Sequence, residues 1–152
     1  MSGLRCIVAV LILSLVGGSA CLAQKRPEAK SVDIQVWSIR ATTKNKEISP
    51  ELKELAEKLK KDFKFTGFKL EAKATGSANI GKAYNTSLPG GYQANVTPKA
   101  LDGKKVQLTV EVLKGKDRKV NTTITITAGQ FQLFGGLSLD GGDQLILAVS
   151  AK

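Results

Sequence analysis

The chain has 152 residues, 42% of them hydrophobic and 5% aromatic, and its 23 Lys and Arg against 13 Asp and Glu give a net charge of +10. This length suits one globular domain once any targeting segment is removed. The chain has no histidine, which removes the usual general base and excludes the His-dependent serine, cysteine and zinc sites.

The first 23 residues have the pattern of a secretory signal peptide. Arg5 gives a short positive segment, the apolar run CIVAVLILSLV follows at Cys6–Val16, and small residues come next. An apolar run of this length is too short to span a bilayer, which needs about 20 residues. Because charge, apolar run and small residues come in the order that signal peptides use, we predict export to the periplasm or beyond.

Two processing events fit the end of this segment. Cleavage after Ala23 would leave Gln24 at the new N-terminus, and we favour it. Alternatively, GSAC at Gly18–Cys21 resembles a bacterial lipobox, in which Cys21 would be lipidated and anchor the protein to a membrane, although Gly18 stands where lipoboxes usually have a bulky apolar residue. Both cysteines lie before residue 24, so we predict a polar leader at 24–31 and a disulfide-free β-rich domain at 32–152.

The first predicted strand is followed by the one convincing helix. SVDIQVWSIRAT alternates in apolar character and then changes parity, which predicts a strand with a bulge near Val36. SPELKELAEKLKKDF predicts a helix over Ser49–Phe63, with Ser49 as its N-cap and Pro50 at its first position. Its apolar stripe, which we expect to face the sheet, consists of Leu52, Leu55, Ala56, Leu59 and Phe63.

The rest of the chain reads as short strands with turns between them. FKFTGFKLEAKA predicts a strand with Phe68, Leu70, Ala72 and Ala74 on one face, and KVQLTVEVLK alternates cleanly from Val106 onwards. Pro-Gly-Gly, Asp-Gly and KGKDRK segments mark turns, and QFQLF and QLILAV form the last two strands. Seven to eight strands with one early helix predict a β-sandwich or a partly open barrel.

The segment TTITITAGQFQLFGGL, Thr122–Leu137, resembles a short motif of the bacterial secretins. In that family a Gly-Gln or Gly-Glu turn precedes an apolar strand that Gly-Gly-Leu closes, and the matching residues here are Gly129, Gln130, Gly135, Gly136 and Leu137. A secretin also has a long membrane-spanning β-region, for which 15 residues after Leu137 leave no room. The domain also resembles small exported bacterial β-proteins of uncharacterised function, a likeness that implies no activity.

The glycines have an architectural interpretation that needs no secretion machinery. Gly129 would allow a positive-φ turn at a strand end, and Gly135–Gly136 would form a bulge or bend. Gly141–Gly142, between Asp140 and Asp143, would form a loop. We favour turns and bends for all of them.

The sequence favours a protein that is not an enzyme and needs no cofactor or metal. The helix glutamates sit beside lysines, where charge pairing explains them, and the remaining acids fall mainly in turns. Asp140 and Asp143 could offer carboxylates to calcium, but LDGGD lacks the ligand number of such a site. We therefore predict a non-catalytic cell-envelope module that binds another envelope protein, through an exposed edge strand or the glycine-rich C-terminal loops, or has a structural role.

The alternative function is adhesion to an anionic polymer or membrane surface. Its candidate residues lie at one hairpin tip and are Lys114, Lys116, Arg118 and Lys119. Other lysines, on the helix and at Lys104–Lys105, would spread the positive charge over the fold, which is typical of solubility and edge protection. No nucleic-acid partner is expected for an exported protein.

Two aromatic residues and three sequons complete the candidates. Trp37 and Tyr92 are the two aromatic candidates for ligand contact, although packing is the more common role for such residues and is the one we favour. Asn85-Thr-Ser, Asn95-Val-Thr and Asn121-Thr-Thr match the N-glycosylation pattern, which threonine-rich strands also generate by chance.

Overall fold

The computed structural model describes residues 30–152, so the predicted signal peptide, Cys21 and most of the predicted leader lie outside the described residues. Within this range eight strands form two four-stranded antiparallel sheets. The first sheet has the order β2-β1-β8-β7 and the second the order β3-β4-β5-β6. The strands are β1 Ser31–Thr42, β2 Gly67–Asn79, β3 Tyr84–Leu88, β4 Tyr92–Asp102, β5 Lys105–Lys114, β6 Asp117–Thr127, β7 Phe131–Ser138 and β8 Gln144–Ala151. The predicted mainly-β fold is confirmed, and of the two predicted architectures it is the sandwich.

The main core lies between the two sheets. β5 shows why: Val106, Leu108, Val110 and Val112 alternate along the strand and are all fully buried. They pack against the inward residues of β1 and β8 in the opposite sheet, among them Val36. A period-two pattern therefore produces one apolar face per strand, as predicted.

A second core lies between the helix and the outer face of the first sheet. A 3-10 turn at Pro50–Leu52 leads into helix α1, Lys53–Asp62. Leu52, Leu55 and Leu59 are buried against the sheet, as the apolar stripe predicted. Because β8 is covered by the opposite sheet on one face and by this core on the other, every residue from Leu145 to Ala151 is buried.

The helix also corrects the prediction of a bulge near Val36. Trp37, Ile39 and Ala41 are apolar because α1 covers the second half of β1 on its outer face, while Val36 faces the sandwich core. The register shift lies two residues later, between Ser38 and Ile39, and the extra residue belongs to β2.

That extra residue is Glu71, and it divides β2 into two halves. Phe68 and Leu70 pack in the helix core, whereas Ala74 and Ala78 pack in the sandwich core. The prediction that Phe68, Leu70, Ala72 and Ala74 share one face is therefore wrong, because a bulge reverses the parity of the residues that follow it.

Ser49 occupies the predicted position but not the predicted role. It precedes the first helical turn, and its side chain makes no cap hydrogen bond. Its Oγ instead accepts a hydrogen bond from the Leu70 backbone N–H at 3.0 Å. The hydroxyl thus joins the start of the helix to β2.

The closing glycines are turns and bends, as predicted. The pairing of β7 with β8 shifts between Phe134 and Leu137, so that Gly135–Gly136 form a bulge. Gly136 has a φ of 89°, which L side chains rarely adopt. At Gly135 a Cβ atom would overlap the Phe63 ring, so this position needs glycine for close packing. Gly129 and Gly141–Gly142 lie in the turns before β7 and β8.

Candidate functional site

The four candidate anion-contacting residues do come together at the tip of the β5–β6 hairpin, but three of them have local partners. Arg118 forms an ion pair with Glu111, and the Lys119 ammonium lies 3.8 Å from a carboxylate oxygen of Asp117. The Lys114 ammonium lies 5.0 Å from the centre of the Tyr92 ring. Lys116 is exposed. The tip carries less uncompensated charge than the sequence alone indicates.

The remaining lysines are spread rather than focused. Lys104 and Lys105 are exposed at the opposite end of β5. Lys53, Lys60 and Lys61 are exposed on the solvent side of α1. This distribution agrees with the sequence interpretation of solubility and edge protection.

A cleft of about 570 Å³ beside the end of β1 contains an ion-pair network. The Arg40 guanidinium lies 2.9 Å from Glu71 and 3.3 Å from Asp143. The Lys44 ammonium lies 3.6 Å from the other Asp143 oxygen. These contacts join β1, β2 and the turn before β8.

The contacts in this cleft favour the charged forms of Arg40 and Asp143. A hydrogen bond with the Thr42 side chain is the main cause that lowers the pKa of Asp143, and Arg40 and Lys44 lower it further. The hydrogen bond to Glu71 is the main cause that raises the pKa of Arg40. A carboxylate held ionised between two cations suits a structural tie better than a general base.

Sequence reasoning missed this network. Arg40 and Asp143 are separated by 103 residues, and no local pattern links residues so far apart. Among residues 30–152 no group of three or more His, Cys, Asp or Glu residues is arranged to hold a metal ion.

Trp37 and Tyr92 both pack within the fold. The Trp37 ring lies 4.7 Å from that of Phe131 between centroids, at 52° between the planes, and the Lys73 ammonium lies 4.3 Å from its centre. Tyr92 is buried, and its hydroxyl donates a hydrogen bond to the Ser138 carbonyl at 2.8 Å.

The edge strand β7 contains part of the segment that resembles the secretin motif, but the sequence did not show that this strand lies at a sheet edge. It closes the first sheet, pairs only with β8 among the described strands and has no charged residue in FQLFGGLS. The Lys58 ammonium donates a hydrogen bond to the Phe131 carbonyl at 3.0 Å, and the Tyr92 hydroxyl donates one to the Ser138 carbonyl. Side chains thus occupy a carbonyl at each end of β7. The Gly-Gln and Gly-Gly-Leu residues that resemble the secretin motif form this strand and the turn before it.

Comparison with protein families, curated proteins and solved structures finds no match to this chain. Within residues 30–152 no helix has the length and apolar character needed to cross a membrane.

Proposed function

We propose that this chain is an exported, non-catalytic cell-envelope module that binds another envelope protein by pairing β7 with a strand of that partner. A sheet edge presents unpaired backbone N–H and C=O groups, which an extended segment can complete. The observation that carries the proposal is the uncharged sequence of β7 at an edge of the first sheet. The signal-peptide pattern of residues 1–23 supports export.

β7 has a bulge of its own and Lys58 at its Phe131 carbonyl, but the other edges carry charged residues in the strand or are very short, which discourages pairing more strongly. β2 has Lys69, Lys73 and the bulge at Glu71. β6 has two cations directly after its first residue, Arg118 and Lys119. β3 has only 5 residues and is followed by Pro89. Charges, bulges, prolines and short length are the usual protection of an edge strand.

The geometry of β7 also limits where a partner can pair. The bulge at Gly135–Gly136 interrupts the strand, so regular pairing is confined to Phe131–Phe134, where an added strand would displace Lys58 from the Phe131 carbonyl. Phe131 is half-buried and packs against Trp37, which leaves apolar surface for a side chain of the added strand. Such a contact combines backbone hydrogen bonds with a small apolar contact, and neither depends strongly on ionic strength.

Capture of partners from envelope extract at low salt and at about 1 M salt tests the proposal, since exposed charges are almost fully screened at the higher value. The blocking variant is Gln132→Lys, which places a charge in the middle of the pairing segment. The matched control is Thr125→Lys, at an exposed position of edge strand β6. We expect one protein to be retained at high salt by the wild type and by Thr125→Lys, and to be lost with Gln132→Lys.

The same capture experiment distinguishes protein binding at β7 from the alternative function, adhesion to an anionic surface. Binding that disappears at high salt and requires the cations of the hairpin tip would favour adhesion to an anionic polymer or lipid. The variant for that arm replaces Lys114, Lys116, Arg118 and Lys119 by alanine. Equal capture by Gln132→Lys and the wild type would contradict pairing at β7, and turnover of a substrate would contradict both functions.

A further inference from the structure

The outer face of the second sheet brings together the three sequon asparagines that the sequence placed far apart. Asn85 lies directly opposite Asn95, Asn95 opposite Glu111, and Glu111 opposite Asn121. We call this the asparagine row. It crosses all four strands of the sheet.

The asparagine row is not suited to carry three glycans. Directly opposed residues on antiparallel strands have Cβ atoms only about 5 Å apart, so Asn85 and Asn95 have no room for two branched sugars side by side. The Asn95 side chain is also engaged within the sheet, because its Nδ2 donates a hydrogen bond to a Glu111 carboxylate oxygen at 3.5 Å. The shared position of these amides therefore calls for another explanation.

A row of hydroxyls runs beside the amides. Thr97 lies opposite Thr109 and Thr109 opposite Thr123. The hydroxyls of Thr109 and Thr123 are hydrogen-bonded at 3.0 Å. We call this the threonine row. Its side chains leave the sheet on the same side as the asparagine row, because successive residues of a strand alternate between faces.

A depression of about 420 Å³ lies at the β3 end of these rows. It is lined by Asn85, Thr86, Ser87, Gln93 and Asn95, so every lining side chain is an amide or a hydroxyl. Asn85, Ser87 and Gln93 are exposed. The depression thus offers both donors and acceptors to a ligand.

The two rows and the depression carry few charges in a strongly basic chain, although Arg118 and Lys105 lie on the same outer face of the sheet. The chain has 23 Lys and Arg, yet none belongs to the two rows or to the depression. Glu111 is the one charged member, and it is paired with Arg118. The residues of the two rows and the depression themselves supply no cation, and recognition of phosphates or acidic polymers relies on cations.

We propose that the asparagine row, the threonine row and the depression form a binding surface for an uncharged polysaccharide. Sugar hydroxyls both donate and accept hydrogen bonds, as do the amides and hydroxyls of this face. A sheet surface is extended enough to meet several sugar units at once, so that weak contacts add along the polymer. Because none of these residues is aromatic, affinity depends on hydrogen bonds rather than on ring stacking.

The test measures retention of the purified chain on cellulose, chitin and amylose, with heparin resin as an anionic comparison. Asn85→Ala combined with Gln93→Ala removes two exposed amides from the depression. Thr75→Ala combined with Ser77→Ala is the matched control, at exposed positions of β2 in the other sheet. Each lost hydrogen bond lowers a binding constant by a factor of roughly 2 to 10, so we expect the amide double variant to lose on the order of ten-fold.

The expected result is salt-independent retention on at least one neutral polysaccharide, reduced in the amide double variant and unchanged in the control. Retention on heparin alone, on none of the polymers, or equally by both double variants overturns the proposal. Chemical-shift mapping of the wild type with cellohexaose and chitohexaose is an independent readout, which holds even if a variant fails to fold. Shifts must then lie on β3 and β4, and shifts confined to β2 or the β5–β6 tip contradict the proposal.

Discussion

Replacement of Leu59 by alanine tests the packing of α1 against the first sheet. The Leu59 side chain is 0% exposed and lies in the core shared by the helix and the sheet. Burial of a leucine contributes about 1.5–3 kcal/mol, and the cavity left by truncation adds to the loss. Because a single surface helix can shift to fill part of that cavity, we expect a loss of about 3 kcal/mol, in the lower half of the range for such substitutions.

Denaturant unfolding of the Leu59→Ala variant measures this loss. The denaturant concentration at the midpoint of unfolding should fall, while the slope of the unfolding free energy against denaturant concentration stays unchanged. The midpoint temperature of thermal unfolding should fall by about 10 °C. Lys60→Ala is the matched control, because Lys60 is the next residue of the same helix and is exposed; its effect should stay within about 0.5 kcal/mol. A loss below about 0.5 kcal/mol for Leu59→Ala would refute the assignment of α1 to the core.

Three further results are expected. Asp143→Asn should lower the free energy of unfolding near neutral pH. The difference from the wild type should shrink as pH falls below about 4, because a carboxylate with a lowered pKa stabilises the fold only while it is ionised. A difference that grows in acid would contradict the network. Gly135→Ala should lower the free energy of unfolding by about 1–3 kcal/mol in thermal melts, and by much less in a Phe63→Ala background. Equal losses in both backgrounds would show that overlap with the Phe63 ring is not the cause. Mass spectrometry of the protein isolated from its host should show Gln24 as the first residue if the predicted signal peptide is cleaved, and an intact Met1 would contradict that prediction.

The fold was predictable from the sequence wherever a strand or helix buries only one of its faces. β5 alternates because only one of its faces is buried, and the stripe that includes Leu59 marks the buried side of α1. The pattern misled us in β1, where both faces are buried over part of the strand. A change of parity then reflects a second layer, and no single-strand pattern separates that case from a bulge.

The surfaces were less predictable because they depend on pairing between distant segments. The hairpin cations were visible in KGKDRK, but their partners, such as Glu111, became known only from the register of β5 and β6. The asparagine row required the order of four strands. The edge position of β7 likewise follows from sheet order, which the spacing of strands along a chain does not determine.

Hydrogen exchange of the chain, free and bound to the protein captured at high salt, tests pairing at β7 most directly. Backbone amides of a strand that gains a neighbour become protected, so slowed exchange is expected within Phe131–Phe134, with little change in β2 or at the β5–β6 tip. Unchanged exchange in β7 together with protection confined to Lys114–Lys119 would contradict the proposed mode of binding.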